Sequence, residues 1–259
     1  MKNGKLLFIL PLLATPLFSG CNQQEATEIN VFAAASLTET LTKIQDLYAQ
    51  KDSKVKLVFN FESSGTLKTQ IENGAKCDLF ISAAPKQMNQ LEELNLINKE
   101  SRLNLLENKV ALAVPENNPK NVTSFENMCD RLKADEEGFL IAMGNSDVPV
   151  GQYTQKIFQY YNVDETAVAS HITYGQNVKA VTSAVSNKAV ACGVIYQTDA
   201  FSANLTVVAH ATKEMCGQVI YPAAITAKTE NYETSKAFLD YLHTEEALKV
   251  FEEVGFSRM

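Results

Sequence analysis

Apolar runs of strand length recur along this chain with helical patterns between them. They are Ile29–Ala33, Val55–Phe61, Asp78–Ser82, Lys109–Val114, Phe139–Met143, Val190–Tyr196, Leu205–His210 and Val219–Ile225. Several are continuously apolar instead of alternating. That suits strands covered on both faces in a parallel sheet. Between the first two, Leu37, Leu41, Ile44, Leu47 and Tyr48 fall on one helical face. Leu67–Glu72 reads as a helix that stops at Gly74. Tyr232–Val254 reads as a last helical stretch ending at Gly255. The alternation predicts an α/β fold.

A chain of 259 residues is long enough for one large domain or two moderate ones. The polar stretches Pro115–Asn121 and Thr198–Asn204 read as boundaries. We read two α/β lobes, one from 28–108 plus 205–259 and the other from 109–204. The chain then crosses between them twice. A small ligand would sit in the cleft between the lobes.

Two junctions in the first lobe point to the ligand's chemistry. INVFAAASL, Ile29–Leu37, and VKLVFNFESSGTL, Val55–Leu67, each run from a strand through serine into a helix. A helix start leaves backbone N–H groups unpaired and carries the positive end of the dipole, which makes it an anion site. The second lobe repeats the theme. Pro149 suits the first turn of a helix after Phe139–Met143, and Asn177 can cap another that opens at Val178. Each helix start carries roughly half a positive charge, so four could offset a dianion without Lys or Arg. The net charge of −7 makes such an arrangement necessary for an anion ligand, and it argues against a nucleic-acid surface.

Each of these residues also has a simpler role. Ser36 opens S-L-T-E, a capping-box pattern with Glu39, and capping alone would explain it. Either Ser63 or Ser64 could cap the second helix, and Gly65 would allow close backbone approach. Tyr196 ends a strand, where it could donate a hydrogen bond to a ligand or pack between the lobes.

The N-terminus reads as an export signal. Lys2 and Lys5 precede an apolar stretch from Leu6 to Phe18, then Ser19-Gly20-Cys21. That stretch is too short to span a membrane comfortably and is set aside from the fold. Its ending is similar to a bacterial lipobox, which makes residues 1–20 a lipoprotein signal peptide, Cys21 the lipidated residue and 21–27 a tether. A plain secretory signal cut near Ser19 is the alternative. Of the other cysteines, Cys77, Cys129, Cys192 and Cys216 match no zinc spacing. They could form two disulfides in an exported protein or serve as small buried hydrophobes.

The segments VFAAASLTETL, FNFESSGTLKTQIENGAKCDLFISAA, VPVGQYTQ, QNVKA, CGVIYQTDA, YPAAIT and VFEEVGF together resemble the bacterial molybdate-binding proteins of ABC importers. They occur in the family's order over nearly the whole chain after the signal. The resemblance implies a two-lobed periplasmic-binding-protein fold of type II that closes around one tetrahedral oxyanion, molybdate or tungstate. It implies neutral donors to that ligand: the hydroxyls of Ser36, Ser64 and Tyr196, and the backbone N–H groups of Val150 and Val178. It also implies an exported, membrane-anchored or periplasmic monomer. Its partners would be the permease of the importer and its ATPase, with no cofactor and no catalytic residue. Glu62 stands where a small residue is expected, and Cys77 and Cys192 where relatives often carry alanine or proline. A carboxylate facing a dianion is unfavourable, so Glu62 is expected to point outward.

Two other readings compete. One is a receptor for sulfate or an organic acid. The other is a secreted hydrolase with Ser36 or Ser64 as nucleophile. The hydrolase needs a base, and His171, His210 and His243 lie in no catalytic motif, nor is there a G-x-S-x-G segment.

Overall fold

The computed structural model describes residues 26–259. The signal, Cys21 and most of the tether lie outside the described residues. Both Thr27 and Glu28, read as tether or its edge, already belong to the first strand, where they pair with Val55 and Lys56.

The chain begins with β1 (Thr27–Ala34), α1 (Thr38–Lys51), β2 (Val55–Glu62), α2 (Ser64–Glu72), β3 (Leu79–Ile81), α3 (Pro85–Glu93) and β4 (Leu103–Asn108). It continues through β5 (Val110–Val114), α4 (Phe125–Lys133), β6 (Ile141–Gly144), α5 (Pro149–Tyr160), β7 (Ile172–Gly175) and α6 (Val178–Ser186). Next come β8 (Cys192–Tyr196), α7 (Gln197–Ser202), β9 (Thr206–His210) and α8 (Lys213–Cys216). It ends with β10 (Val219–Ile225), α9 (Tyr232–Tyr241), α10 (Glu245–Glu253) and β11 (Ser257–Arg258).

The strands form two sheets, ordered β11-β4-β10-β3-β1-β2 and β7-β6-β8-β5-β9. Within them β2, β1 and β3 run parallel, as do β7, β6 and β8. The strands next to the crossings are antiparallel to their neighbours, β10 in the first sheet and β5 in the second. The expected parallel sheets are therefore mixed ones. Continuous apolar runs still mark the covered strands: every residue of VALAV in β5 and of CGVIY in β8 is buried.

The first crossing takes only Lys109, between β4 and β5. The return comes later than the sequence suggests. β9 pairs with β5, Ala111 opposite His210 and Val114 opposite Thr206, so it belongs to the second sheet. The chain goes back between His210 and Val219, and the boundary at 205 is corrected accordingly. Pro115–Asn121 is a loop inside the second lobe, and Thr198–Asn204 is mostly the helix α7. Neither is a linker.

Candidate functional site

Helix starts from both lobes meet around one narrow cavity. Its lining includes Ser36 and Ser64 from the first lobe, and Val150, Val178 and Tyr196 from the second. The remaining space is about 10 Å³, on the order of one water molecule. A larger ligand therefore needs the lobes to part before it enters. No Lys or Arg lines the cavity among the described residues.

Ser36 does not cap α1. It lies in a 3₁₀ turn, Ala35–Leu37, with no side-chain cap at its start, and α1 itself begins without one. Glu39 turns the other way, to Lys179 Nζ at 2.8 and 2.7 Å. The capping box is not formed because both its members have longer-range partners. Ser36 Oγ instead hydrogen-bonds Tyr221 Oη at 2.8 Å.

The next junction divides its work between two serines. Ser63 is the cap, accepting from Thr66 N at 3.1 Å. Ser64 is fully buried, and its Oγ accepts from Ala83 N at 3.0 Å. Its own proton stays available to the cavity. Gly65 follows, and its N–H donates to the carbonyl of Asp147 in the other lobe at 3.1 Å. A Cβ on Gly65 would fall 2.3 Å from that oxygen, so only glycine allows this approach.

From the second lobe come backbone donors. Pro149 opens α5 and has no N–H to offer, which leaves Val150 as the first amide of that helix. Val178 opens α6, whose cap Asn177 accepts from Ala180 N at 3.0 Å. First-turn amides have no acceptor within their own helix. Tyr196 ends β8 with 1% exposure, and its hydroxyl has no partner among the described residues. Burial first, then the neighbouring Tyr221, Tyr153 and Asp199, hold that phenol well above its ordinary range. It is a neutral donor at any physiological pH.

Glu62 does not point outward. It lines the cavity, and Oε2 accepts from Asn177 Nδ2 across the cleft at 3.1 Å and from Ser63 N at 3.3 Å. Those two donors satisfy the carboxylate and make it a bridge between the lobes. Lys179 makes a second bridge. Its ammonium reaches Glu39 in the first lobe and, at 3.2 Å, the buried carboxylate of Asp199 in the second. Burial pushes Asp199 up to about 6, against the pull of Lys179. The cation next to the site is thus committed to carboxylates. Sequence reasoning missed Tyr221, Asn108 and the Glu39–Lys179 pair. Their partners lie far along the chain and no local spacing marks them.

Cys77, Cys129, Cys192 and Cys216 are all buried and free, which is the small-hydrophobe alternative. Burial raises the thiols, Cys129 to about 12 and Cys216 to about 11, so they are poor nucleophiles. A roomier groove of about 390 Å³ runs along Gly74–Asp78 and Thr226–Glu230. Its inner polar groups are already paired: Asp78 with Asn30 and Thr229, and Thr226 with the Cys77 carbonyl. The cavity lined by helix starts from both lobes is the other one.

A match to the bacterial extracellular solute-binding proteins spans residues 29–257. The chain belongs to that family. A solute-binding protein has no need of the base that a serine nucleophile would require. Several relatives cover nearly the whole chain. YvgL of Bacillus subtilis, whose name describes an ABC transporter substrate-binding lipoprotein, is 33% identical over 260 residues, 97% of each chain. The molybdate-binding protein ModA of Haemophilus influenzae is 32% identical over 233 residues, 90% of this chain and 91% of ModA. Among solved structures, the Azotobacter vinelandii periplasmic molybdate-binding protein superposes with a TM-score of 0.75. It covers 89% of this chain and 99% of its own at 20% identity. That likeness establishes the two-lobed periplasmic-binding-protein architecture of this solute-binding protein.

Proposed function

We propose that this protein binds molybdate, and tungstate with it, outside the cytoplasmic membrane and delivers it to the permease of an ABC importer. The carrying observation is the cavity lining, in which the hydroxyl-bearing Ser36, Ser64 and Tyr196 stand with Val150 and Val178, each in the first turn of a helix, and no cation stands among them. The direct donors are Ser36, Ser64, Tyr196 and the N–H groups of Val150 and Val178. The two ModA-type and YvgL-type likenesses, at 32% and 33% identity, support the ligand and the importer. YvgL's lipoprotein name also supports an anchor on Cys21. The chain acts as a monomer.

Neutral donors suit a fully deprotonated tetrahedral oxyanion. A hydrogen phosphate must place its own proton on an acceptor, and the one carboxylate of the lining, Glu62, is already engaged by Asn177 and Ser63. Sulfate has the same charge and shape with shorter bonds, so size excludes it. Molybdate and tungstate nearly match in size and bind alike. Lobe closure then brings the two sets of donors onto the ligand.

Titration calorimetry with molybdate, tungstate, sulfate and phosphate tests the reading. The expected outcome is tight one-to-one binding of the first two and none of the last two. Sulfate binding without molybdate binding would overturn the assigned ligand, and no heat with any of the four would overturn the oxyanion site.

A further inference from the structure

We propose that Asn108 sets the direction of a buried hydrogen-bond chain, Asn108–Tyr221–Ser36, so that Ser36 presents a proton to the cavity and not a lone pair. The inference rests on Ser36 being a ligand donor, as proposed above, and adds a residue outside the cavity that makes it one.

The direction follows by elimination. Lys109 N donates to Asn108 Oδ1 at 2.8 Å. A backbone amide can only donate, so this contact orients the Asn108 side chain and identifies which end is the NH₂. The other end, Nδ2, then faces Thr198 Oγ1 at 3.0 Å and Tyr221 Oη at 3.2 Å. Nδ2 can only donate. Tyr221 Oη therefore accepts from it; the neighbouring Tyr196 Oη makes no hydrogen bond among the described residues, so the phenol proton goes to Ser36 Oγ at 2.8 Å. Having accepted from Tyr221, Ser36 keeps its own proton free to donate into the cavity it lines.

The chain is built to hold this sense. Asn108, Tyr221 and Ser36 are all buried, so water does not compete for their protons. None of the three is charged. Burial, then Asp199, keeps the Tyr221 phenol well above its ordinary range, so it stays protonated. The three residues come from the end of β4, from β10 and from the turn after β1. Asn108 sits directly at the first crossing and touches Thr198 of the second lobe. A site that offers hydroxyl protons to an anion depends on those hydroxyls pointing the same way. A lone serine can rotate to offer either a proton or a lone pair, whereas this one is held as a donor. Asn108 is a positioning residue: it acts on the ligand through Tyr221 and Ser36.

Replacing the amide by a carboxylate reverses the chain. In Asn108→Asp the new oxygen accepts from Tyr221, which then accepts from Ser36, and Ser36 turns a lone pair to the anion. The experiment is a double-mutant cycle read by molybdate calorimetry. It uses the purified wild-type protein with Ser36→Ala, Tyr221→Phe, Asn108→Asp and the Asn108→Asp/Tyr221→Phe pair. Ser36→Ala and Tyr221→Phe should each weaken binding, and Asn108→Asp should cost at least about tenfold more with Tyr221 present than in the Tyr221→Phe background. An equal cost in both backgrounds would show plain charge repulsion and overturn the chain, as would a Tyr221→Phe affinity equal to wild type. In those cases Ser36→Ala still weakens binding, and the oxyanion reading survives. A Ser36→Ala affinity equal to wild type would remove both. Thermal melts check folding. If Asn108→Asp does not fold, Asn108→Leu takes its place: it removes the donor without adding charge, and it too should lose affinity only when Tyr221 is present.

Discussion

The two lobes bring different chemistry to the same cavity. The first offers side-chain hydroxyls, Ser36 hydrogen-bonded to Tyr221 and Ser64 accepting from Ala83 N, each within its own lobe. The second offers backbone amides at Val150 and Val178, with the Tyr196 hydroxyl. Hydroxyls are encoded residue by residue and are lost with one substitution. Amides are encoded by where a helix begins, so many side chains serve. One lobe therefore carries most of the site's mutational fragility, and the other carries it in the placement of Pro149 and Asn177. Neither depends on a positive side chain, in a protein whose net charge is −7.

The comparison breaks most completely if the lobes cannot meet. Gly65→Ala places a Cβ 2.3 Å from the Asp147 carbonyl of the opposite lobe. The expected result is a molybdate affinity lower by about a hundredfold or more, since donors worth about 1.5–3 kcal/mol each to a charged ligand are held apart. The melting temperature without ligand should barely move, because the clash lies between lobes and not within one. A large fall in that melting temperature would instead place the defect in α2.

Next in size is the contrast between side-chain and backbone donors. Ser36→Ala and Ser64→Ala should each weaken molybdate binding by roughly 10- to 100-fold. Val150→Ala and Val178→Ala keep their amides and should stay within about threefold of wild type. Calorimetry on the four variants, with thermal melts as the folding control, measures the difference directly. Valine variants as weak as the serine ones would erase the distinction between the lobes.

The smallest effect belongs to the bridge outside the cavity. Glu39 and Lys179 join the lobes at 2.7 Å but are partly exposed, at 46% and 30%. Glu39→Gln should weaken binding by only about two- to fivefold, the range of exposed ion pairs. That loss should shrink as salt rises, because the wild-type pair is screened too. An effect independent of salt would mean Glu39 contributes packing, not charge.

Much of this arrangement is legible in the residues. The covered strands show because burial on both faces demands unbroken apolar runs, as in VALAV and CGVIY. The strands β4, β7 and β11 escaped for the opposite reason. LNLLEN and ITYG mix exposed and buried positions, and β11 is two exposed residues long. The run Tyr232–Val254 hides a break at Leu242–Thr244, where Thr244 caps α10 through Ala247 N. The place of β9 was illegible in a different way. Its sequence shows a strand, but only the distant partner β5 decides which sheet it joins. Glu62 was misplaced by an argument about charge alone, which overlooked the two donors that satisfy it. The residues that line the cavity were easier to find than the groups behind them, because a helix start is a local signal and a partner such as Tyr221 is not.

The central claim is that neutral donors from both lobes hold one oxyanion. A crystal of the protein grown with molybdate, with anomalous scattering measured at the molybdenum edge, tests it most directly. The account predicts a single strong peak in this cavity, its oxygens within hydrogen-bonding distance of Ser36 Oγ, Ser64 Oγ, Tyr196 Oη and the amides of Val150 and Val178. A peak elsewhere, or one held by a lysine or arginine, would contradict it.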